Sequence, residues 1–236
     1  MTRVRAPNPS PLTLDGTNTY VLEGGWVVDL GPADEIHLDA VLAAAGGRVR
    51  GIALTHSHLD HAGGAGPLSE RAGGVPVVLP RDGEEAGPLR AIATPGHAPD
   101  LVSLLLGGGV AFCGDTVLGA GSVFVAPGEG SLSAYLDSLS RLRALDLEVL
   151  CPGHGPFVWD PVAKLDEYLA HRAERERMLI DALDAGARTE TELLDRAWAD
   201  APAQLRPAAG QSLRAHLSKL GEEGQLPDGL EPGLLP

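Results

Sequence analysis

Residues 55–64 read THSHLDHAGG and carry the strongest structural signal in the chain. The letters just before them, RGIALTH from position 50, are typical of a buried strand whose polar end begins at Thr55. The loop that follows holds four side chains of the metal-binding type: His56, His58, Asp60 and His61. A loop can turn successive side chains inward, whereas a strand sends them to opposite faces. Imidazole and carboxylate groups suit zinc or a similar divalent ion, so we expect a metal site rather than a solvated polar loop.

Three more residues of the metal-binding type follow predicted strands, and each stands next to a glycine. They are His97 in ATPGHAPD, Asp115 in FCGDTV and His154 in CPGHGP. A single histidine in a loop is more often structural or solvated than a metal ligand. Together with the first cluster, however, these three predict one rim of strand ends that carries metal ligands.

The rest of the first two thirds of the chain alternates between strand and helix patterns. Two apolar runs, TYVLE and WVVDL, meet at Gly24 and Gly25 and predict a tight hairpin. Helical spacing of apolar residues predicts one helix over 36–42 and another over 131–145. Short strands are predicted by the segments RGIALTH, VPVVLP, AIATP, LVSLLL, VAFCGD and EVLCPGH.

The pattern changes to helices alone after Pro161, so we divide the chain into a domain over 1–159 and a second over 160–236. Thr189 and Glu192 fit a capping box that opens the helix TELLDRAWAD, and another helix is predicted over 212–220. This tail resembles a small helix-turn-helix or winged-helix unit. It has 9 basic and 15 acidic residues, and that balance disfavours DNA binding and favours packing or dimerisation.

The motifs HSHLDH, TPGH, CGD and PGHG resemble those of the metallo-β-lactamase superfamily, and the resemblance covers about residues 12 to 160. It implies an α/β fold, a four-layer αββα sandwich with the metals at one edge, followed here by a small helical, winged-helix-like domain. Carried over position by position, the resemblance implies three sets of ligands. One metal ion would be held by His56, His58 and His97, the second by Asp60, His61 and His154, and Asp115 would bridge the two.

Such a pair of ions, roughly 3.5 to 4 Å apart, lowers the pKa of the water between them to about 7 and polarises the bond to be cleaved. Asp60 is the expected catalytic residue, because its free oxygen can hold the attacking hydroxide. We expect two divalent ions, zinc first and iron or manganese as alternatives. The bridging position holds Asp115 and not cysteine. In this respect the chain resembles the hydrolase branches of the superfamily, so β-lactamase activity is not expected.

Two further residues have supporting roles in this interpretation. Asp29, at the end of WVVDL, can accept a hydrogen bond from the second ring nitrogen of a ligand histidine, and Thr55 can act in the same way. A turn-capping aspartate is the alternative reading of Asp29.

The phrases TLDGTNTYVLEG, CGDTVLGAGS, CPGHGP and YLAHRAERE resemble a lactamase-like group that includes a mitochondrial single-stranded RNA endonuclease. Many relatives carry a histidine where this chain has Leu101. This difference weakens the inference that the chain has the same substrate as that group. Candidate residues for an anionic substrate lie on the first helix of the tail: His171, Arg172 and Arg175. The alternative for these three is an ion-paired, solvated helix face.

The chain has 18 basic and 32 acidic residues among 236, a net charge of −14, which opposes binding of nucleic acid by bulk charge. Its two cysteines, Cys113 and Cys151, have apolar flanks and are predicted to be buried thiols in a reducing compartment. Neither an export signal nor a membrane-spanning run is apparent, so we expect a cytoplasmic protein.

The leading hypothesis is a binuclear zinc-dependent hydrolase that cleaves an ester-like bond in a small thioester or ester. A metal-dependent single-stranded RNA endonuclease and a non-catalytic, metal-binding regulatory protein are the alternatives. The expected partner is an anionic small molecule or single-stranded RNA, and a homodimer is an option. DNA and membranes are not expected partners.

Overall fold

The computed structural model describes residues 1–123 and 125–234. The strands in these residues are β1 (Thr2–Arg5), β2 (Asn18–Val21), β3 (Trp26–Val28), β4 (Gly51–Ala53), β5 (Val77–Val78), β6 (Glu85–Ala86), β7 (Leu89–Ala93), β8 (Val102–Leu106), β9 (Val110–Gly114) and β10 (Val149–Pro152). The α-helices are α1 (Glu35–Ala44), α2 (Leu59–Ala62), α3 (Ala65–Arg71), α4 (Leu132–Arg143), α5 (Pro161–Asp184), α6 (Glu190–Ala197) and α7 (Arg206–Glu222).

The strands form two five-stranded mixed sheets, ordered β1-β2-β3-β4-β5 and β10-β9-β8-β7-β6. The predicted hairpin is confirmed, because β2 and β3 pair antiparallel across a turn in which Gly24 and Gly25 have φ of 89° and 87°. Side chains with a Cβ rarely adopt such values, which explains the two glycines. The pairs β3–β4, β4–β5 and β9–β10 are parallel.

The two sheets pack face to face, and helices cover both outer faces. Tyr20 and Phe112, one from each sheet, belong to the apolar layer between them, with their ring centroids 5.0 Å apart. On the first sheet's outer face, Leu38 of α1 packs in one buried cluster with Val27. On the second sheet's outer face, Tyr135 of α4 occupies the equivalent layer. The expected four-layer αββα sandwich is therefore confirmed.

The long helix α5 contributes to two apolar cores. Leu165 and Tyr168 near its start pack into the core under the second sheet, whereas Leu179 and Leu183 near its end pack with α6 and α7. The division at residue 160 stays a prediction, since this helix belongs to both sides. No helix in the described parts of the chain is long and apolar enough to cross a membrane.

The structure also has elements that the sequence patterns did not predict. The strands β1 and β6 were missed because they are short, and both lie at the edge of a sheet. Helix α7 begins at Arg206 and not at residue 212, with Pro207 in its first turn. Proline favours that position because its missing N–H has no partner there in any helix. In the described residues, every secondary-structure element that follows β10 is a helix.

The carboxyl ends of four strands meet at one edge of the sandwich. The chain leaves β4 toward His56, β7 toward His97, β9 toward Asp115 and β10 toward His154. This edge holds the residues that the sequence analysis singled out.

Candidate active site

All seven predicted metal-binding side chains come together at this edge. Three overlapping groups each have their ligand atoms within 4.8 Å of one another: His56, His58 and His97; His56, His61 and Asp115; and Asp60, His61 and His154. The first and third groups coincide with the two ligand sets that the resemblance implied. Asp115 lies between them, with Oδ1 3.4 Å from His61 Nε2 and Oδ2 3.7 Å from His97 Nε2.

Asp29 and Thr55 determine which nitrogen of the neighbouring imidazoles carries the proton. Asp29 Oδ2 accepts hydrogen bonds from Thr55 Oγ1 at 2.8 Å and from His61 Nδ1 at 2.9 Å. Because the threonine hydroxyl donates its only proton to Asp29, it accepts a hydrogen bond from His56 Nδ1 at 3.0 Å. In the neutral form of each ring, these hydrogen bonds place the proton on Nδ1 and leave the lone pair of Nε2 turned toward the cluster. The predicted orienting role of these two residues has this geometric basis.

Two polar atoms of the cluster are buried without a hydrogen-bond partner among the described residues, namely His56 Nε2 and Asp115 Oδ1. Unpaired buried polar atoms are costly, so they indicate a ligand that pairs with them. The nitrogens His58 Nδ1 and His97 Nε2 lie 3.1 Å apart, and His61 Nε2 and His154 Nε2 lie 3.3 Å apart. Nitrogen lone pairs and carboxylate oxygens that converge in this way fit divalent first-row cations.

The carboxylates give this cluster a strongly negative potential. Burial lowers the pKa of His61 and His154, but the charge of Asp115 outweighs it and raises both above the ordinary value, that of His154 to about 9. Burial and the neighbouring imidazoles lower the pKa of His56 to about 2. Positive charge is therefore favoured beside Asp115, and either a proton or a metal cation can supply it.

Two residues that the sequence analysis missed support the loop around His154. Asn18 is buried in β2, and its side-chain amide donates to the Pro152 and Gly155 carbonyls at 3.0 and 2.9 Å. The Tyr20 hydroxyl also donates to the Pro152 carbonyl, at 2.7 Å. The first hairpin thus fixes the end of β10 and the ligand that follows it.

The glycines beside the predicted ligands make room for close packing. At Gly153, a Cβ would lie 2.4 Å from His61 Cε1 and 2.6 Å from Asp115 Oδ1. At Gly96, where φ is 141°, a Cβ would lie 2.4 Å from the backbone of Tyr135. A side chain at either position would push a ligand loop away from the cluster.

A cavity of about 440 Å³ opens above the cluster, within the usual range for small-molecule sites. Five of the seven clustered residues line it, namely His58, Asp60, His97, Asp115 and His154. Its other walls come from residues 11–14, the loop over 118–123, helix α5 and residues 198–212. The Asp60 side chain is 34% exposed, so it is the carboxylate of the cluster that an entering molecule meets.

The three candidate residues for an anionic substrate, His171, Arg172 and Arg175, do line this cavity. They do not form the solvated, ion-paired face that was the alternative, because both arginines are buried. The Arg172 guanidinium donates to Ser122 Oγ and the Val123 carbonyl. The Arg175 guanidinium is bidentate on Asp200 at 2.7 and 2.6 Å and also donates to the Ala197 carbonyl. Both guanidinium groups are thus engaged by the protein.

His171 accepts a hydrogen bond from Arg175 Nε at 3.3 Å. Burial and the two neighbouring arginines lower the pKa of His171 to about 4, which makes this ring neutral at pH 7. Leu101, at the position where relatives often carry histidine, is 1% exposed. It packs beside Gly114 beneath the site and is not among the residues that line the cavity.

The predicted buried thiols are confirmed, because Cys113 and Cys151 are both free and buried. Burial raises the pKa of each thiol, and neither cysteine belongs to a metal-binding group in the described residues.

The fold and the site define a family. The sequence profile of the metallo-β-lactamase superfamily matches residues 12–91 and 82–154, and that of the beta-lactamase associated winged helix domain matches residues 189–226. The chain therefore belongs to the metallo-β-lactamase superfamily and carries a C-terminal winged-helix domain.

Similar proteins extend the match over nearly the whole chain. A beta-lactamase-like protein 2 homolog of Caenorhabditis elegans is 33% identical over 95% of this chain and 85% of its own length. An atrochrysone carboxyl ACP thioesterase of Aspergillus fumigatus is 33% identical over 86% of this chain and 75% of its own. The crystal structure of a metallo-β-lactamase family protein from Thermus thermophilus superposes with a TM-score of 0.75 at 27% identity and covers 94% of this chain and 93% of that one.

Proposed function

We propose that the chain is a binuclear metal-dependent hydrolase that cleaves small thioesters or esters. The convergence of seven ligand-type side chains at the base of a cavity of about 440 Å³ carries this proposal. A relative named as a thioesterase, 33% identical over 86% of the chain, supports the thioester as substrate. Zinc is the ion that we propose first, with iron or manganese as alternatives, because imidazole and carboxylate donors suit all three.

His56, His58 and His97 would hold one ion, Asp60, His61 and His154 the other, and Asp115 would contact both. When bound, such ions supply Lewis acidity to the carbonyl oxygen and make hydroxide available at neutral pH.

The cavity-facing Asp60 carboxylate has a distinct part in this reaction. Burial opposes its ionisation, but a hydrogen bond to His154 and the charge of His61 outweigh burial and lower the pKa of Asp60 to about 2. The ionised Asp60 can accept a hydrogen bond from the attacking water and orient it toward the carbonyl carbon. Hydrolysis then forms the bond from water oxygen to carbonyl carbon and breaks the bond to sulfur or oxygen. The water supplies the proton that the leaving thiol or alcohol takes up, so the products are an acid and a thiol or alcohol.

Charge favours an ester-like substrate over single-stranded RNA. The chain has a net charge of −14. Among the described residues that line the cavity, Arg172 and Arg175 are the only arginines or lysines, and both are bound by protein oxygens. A phosphodiester backbone would need free cationic side chains along its path.

The experiment compares one preparation on two substrates. Protein stripped of metal is loaded with Zn²⁺, Fe²⁺ or Mn²⁺ and analysed for metal content, then given an acyl thioester or a labelled single-stranded oligonucleotide. We expect two ions per chain and cleavage of the thioester alone. Oligonucleotide cleavage without thioester cleavage would establish the endonuclease alternative. Two bound ions with neither activity would favour the regulatory alternative.

A variant pair tests whether the cluster performs the reaction. Asp115→Ala removes the carboxylate between the two ligand sets and should lower kcat/KM at least about a hundredfold, since it supports both ions. Asp137→Ala, on the exposed face of α4, is the matched control and should match the original protein. Circular dichroism establishes that both variants are folded. Unchanged turnover in Asp115→Ala would remove Asp115 from the mechanism.

A further inference from the structure

The cavity has two walls that come from different parts of the fold. One wall comes from the metal-binding domain and includes Leu14, Leu118 and Val123. The other wall, here called the C-terminal wall, belongs to the segment around α6 and α7 and consists of Trp198, Ala201, Pro202, Leu205, Ala208 and Ala209. Both walls are mostly apolar, although Ser122 lies on the first and Asp200 and Ser212 lie beside the second, and both are continuous with the metal-binding cluster at the base.

Two arginines of α5 hold the two walls in place through hydrogen bonds. From α5, Arg172 donates to Ser122 and Val123 and so holds the loop of the first wall. One turn later, Arg175 binds Asp200 and the Ala197 carbonyl, and its Cζ lies 5.8 Å from the centre of the Trp198 ring. The bidentate pair fixes the turn that carries Trp198 into the C-terminal wall. These arginines therefore hold the two walls of the cavity in place.

A preformed apolar cavity gains binding free energy from apolar groups, because each buried methylene is removed from water. An anionic group in the same place would lose its hydration, and the guanidinium groups of Arg172 and Arg175 already donate hydrogen bonds to protein oxygens. The part of the substrate that enters this space is thus apolar, and its carbonyl end meets the cluster at the base.

We propose that the cavity binds the apolar acyl group of the substrate and that the C-terminal wall sets the length of the acyl chain that fits. This inference rests on the proposed hydrolase function. Small side chains at Ala201, Ala208 and Ala209 leave the cavity open along this wall, so a larger side chain there shortens it.

The test uses a series of thioesters that share one thiol and run from acetyl to dodecanoyl. For the zinc-loaded protein, kcat/KM should rise about fourfold per methylene until the cavity is full. Ala208→Phe should lower the ratio of dodecanoyl to acetyl kcat/KM at least about tenfold, because the ring occupies space that the long chain needs. Ala203→Phe, on the exposed turn just before α7, is the matched control and should keep the original ratio.

A second variant and a binding measurement make the result decisive. Leu205→Ala enlarges the cavity and should move the preferred acyl chain to a longer one. This variant tests the inference if Ala208→Phe does not fold. Calorimetric binding of dodecanoate to the zinc-loaded protein should weaken at least about tenfold in Ala208→Phe. An identical length profile in all variants, or dodecanoate affinity that Ala208→Phe leaves unchanged, would overturn the inference while the hydrolase stands. If no thioester is cleaved, the hydrolase proposal fails, and dodecanoate binding alone decides whether the cavity takes an acyl group.

Discussion

At the scale of single residues, Asp29 is the side chain on which the orientation of the cluster depends most. It is 2% exposed and accepts hydrogen bonds from the Thr55 backbone, the Thr55 hydroxyl and the His61 ring. Asp29→Asn replaces one oxygen by an NH₂ group, which leaves at least one of these donors facing another donor. We expect zinc affinity to fall about 10- to 100-fold, the range typical of such outer partners of metal ligands.

Asparagine is a suitable replacement because Asp29 has a φ of 51°, in the left-handed region that asparagine tolerates. Competition with a chromogenic chelator measures the zinc affinity, and Asp137→Asn on the exposed face of α4 is the matched control. Thr55→Val removes the hydroxyl that is hydrogen-bonded to both Asp29 and His56, so it should weaken zinc binding as well. Equal affinity in Asp29→Asn and the control would show that Asp29 does not orient the cluster.

The residues of the cluster and their partners Asp29 and Thr55 were open to prediction, whereas the supports farther away were not. His56, His58 and His61 lie within six residues of one another, so their spacing alone indicates a site. Asn18 and Tyr20 act on Pro152, more than 130 positions away along the chain. No local pattern encodes that distance, and their letters fit an ordinary strand or turn equally well.

At the scale of elements, the contact between α5 and α7 depends on ionisation of one carboxylate. Glu176 on α5 lies 2.9 Å from Lys219 Nζ and 3.6 Å from His216 Nδ1, both on α7. The contacts with His216 and Lys219 lower the pKa of Glu176 from 4.5 to about 2, against the opposing effect of burial. A lowered pKa in the folded state stabilises the protein fully above pH 4.5, and the stabilisation is lost as pH falls from there toward 2.

Glu176→Gln should therefore lower the free energy of unfolding by about 1–2 kcal/mol at pH 7, since it replaces the charged acceptor of the Lys219 hydrogen bond with a neutral one. The difference from the original protein should shrink below about pH 4.5 and vanish near pH 2. Thermal unfolding across this range measures it. The exposed pair of Glu167 with Lys164 on the same helix supplies the control, and Glu167→Gln should change stability by less than about 0.5 kcal/mol. A stability difference that stays constant with pH would contradict the lowered pKa.

The helices and strands themselves were largely predictable, but the burial of individual side chains on them was not. Apolar periodicity predicts α4 and α5 because each packs one face on a core. The same periodicity does not show that Arg172 and Arg175 of α5 are buried. Their burial depends on the positions of α6 and of the loop over 118–123, which the sequence of α5 does not contain. The helical histidines show the same limit: His37 and His216 are buried, and His171 lines the cavity.

At the scale of the whole molecule, the apolar clusters of the two sheets and the cluster of the helical tail predict different responses to metal removal. The predicted ligands all extend from the two sheets, whose cores include Tyr20 and Tyr135. Leu193 and Leu213 belong to the other core, built from the end of α5 with α6 and α7. A metal ion stabilises only the state that binds it, by about 2.7 kcal/mol when the free ion is at a hundred times its Kd.

Chelation should consequently loosen the loops over 55–61, 94–97, 114–116 and 152–155, because the buried carboxylate of Asp115 and the unpaired Nε2 of His56 lose the charge that compensates them. Hydrogen exchange followed by mass spectrometry should show faster exchange in these four loops, while helices α6 and α7 keep their protection. Re-addition of zinc should reverse the change, and zinc added to Asp115→Ala should reverse less of it. Uniform loosening through α6 and α7 would mean that the two cores unfold as one unit, and unchanged exchange in the four loops would mean that the cluster is not held by metal.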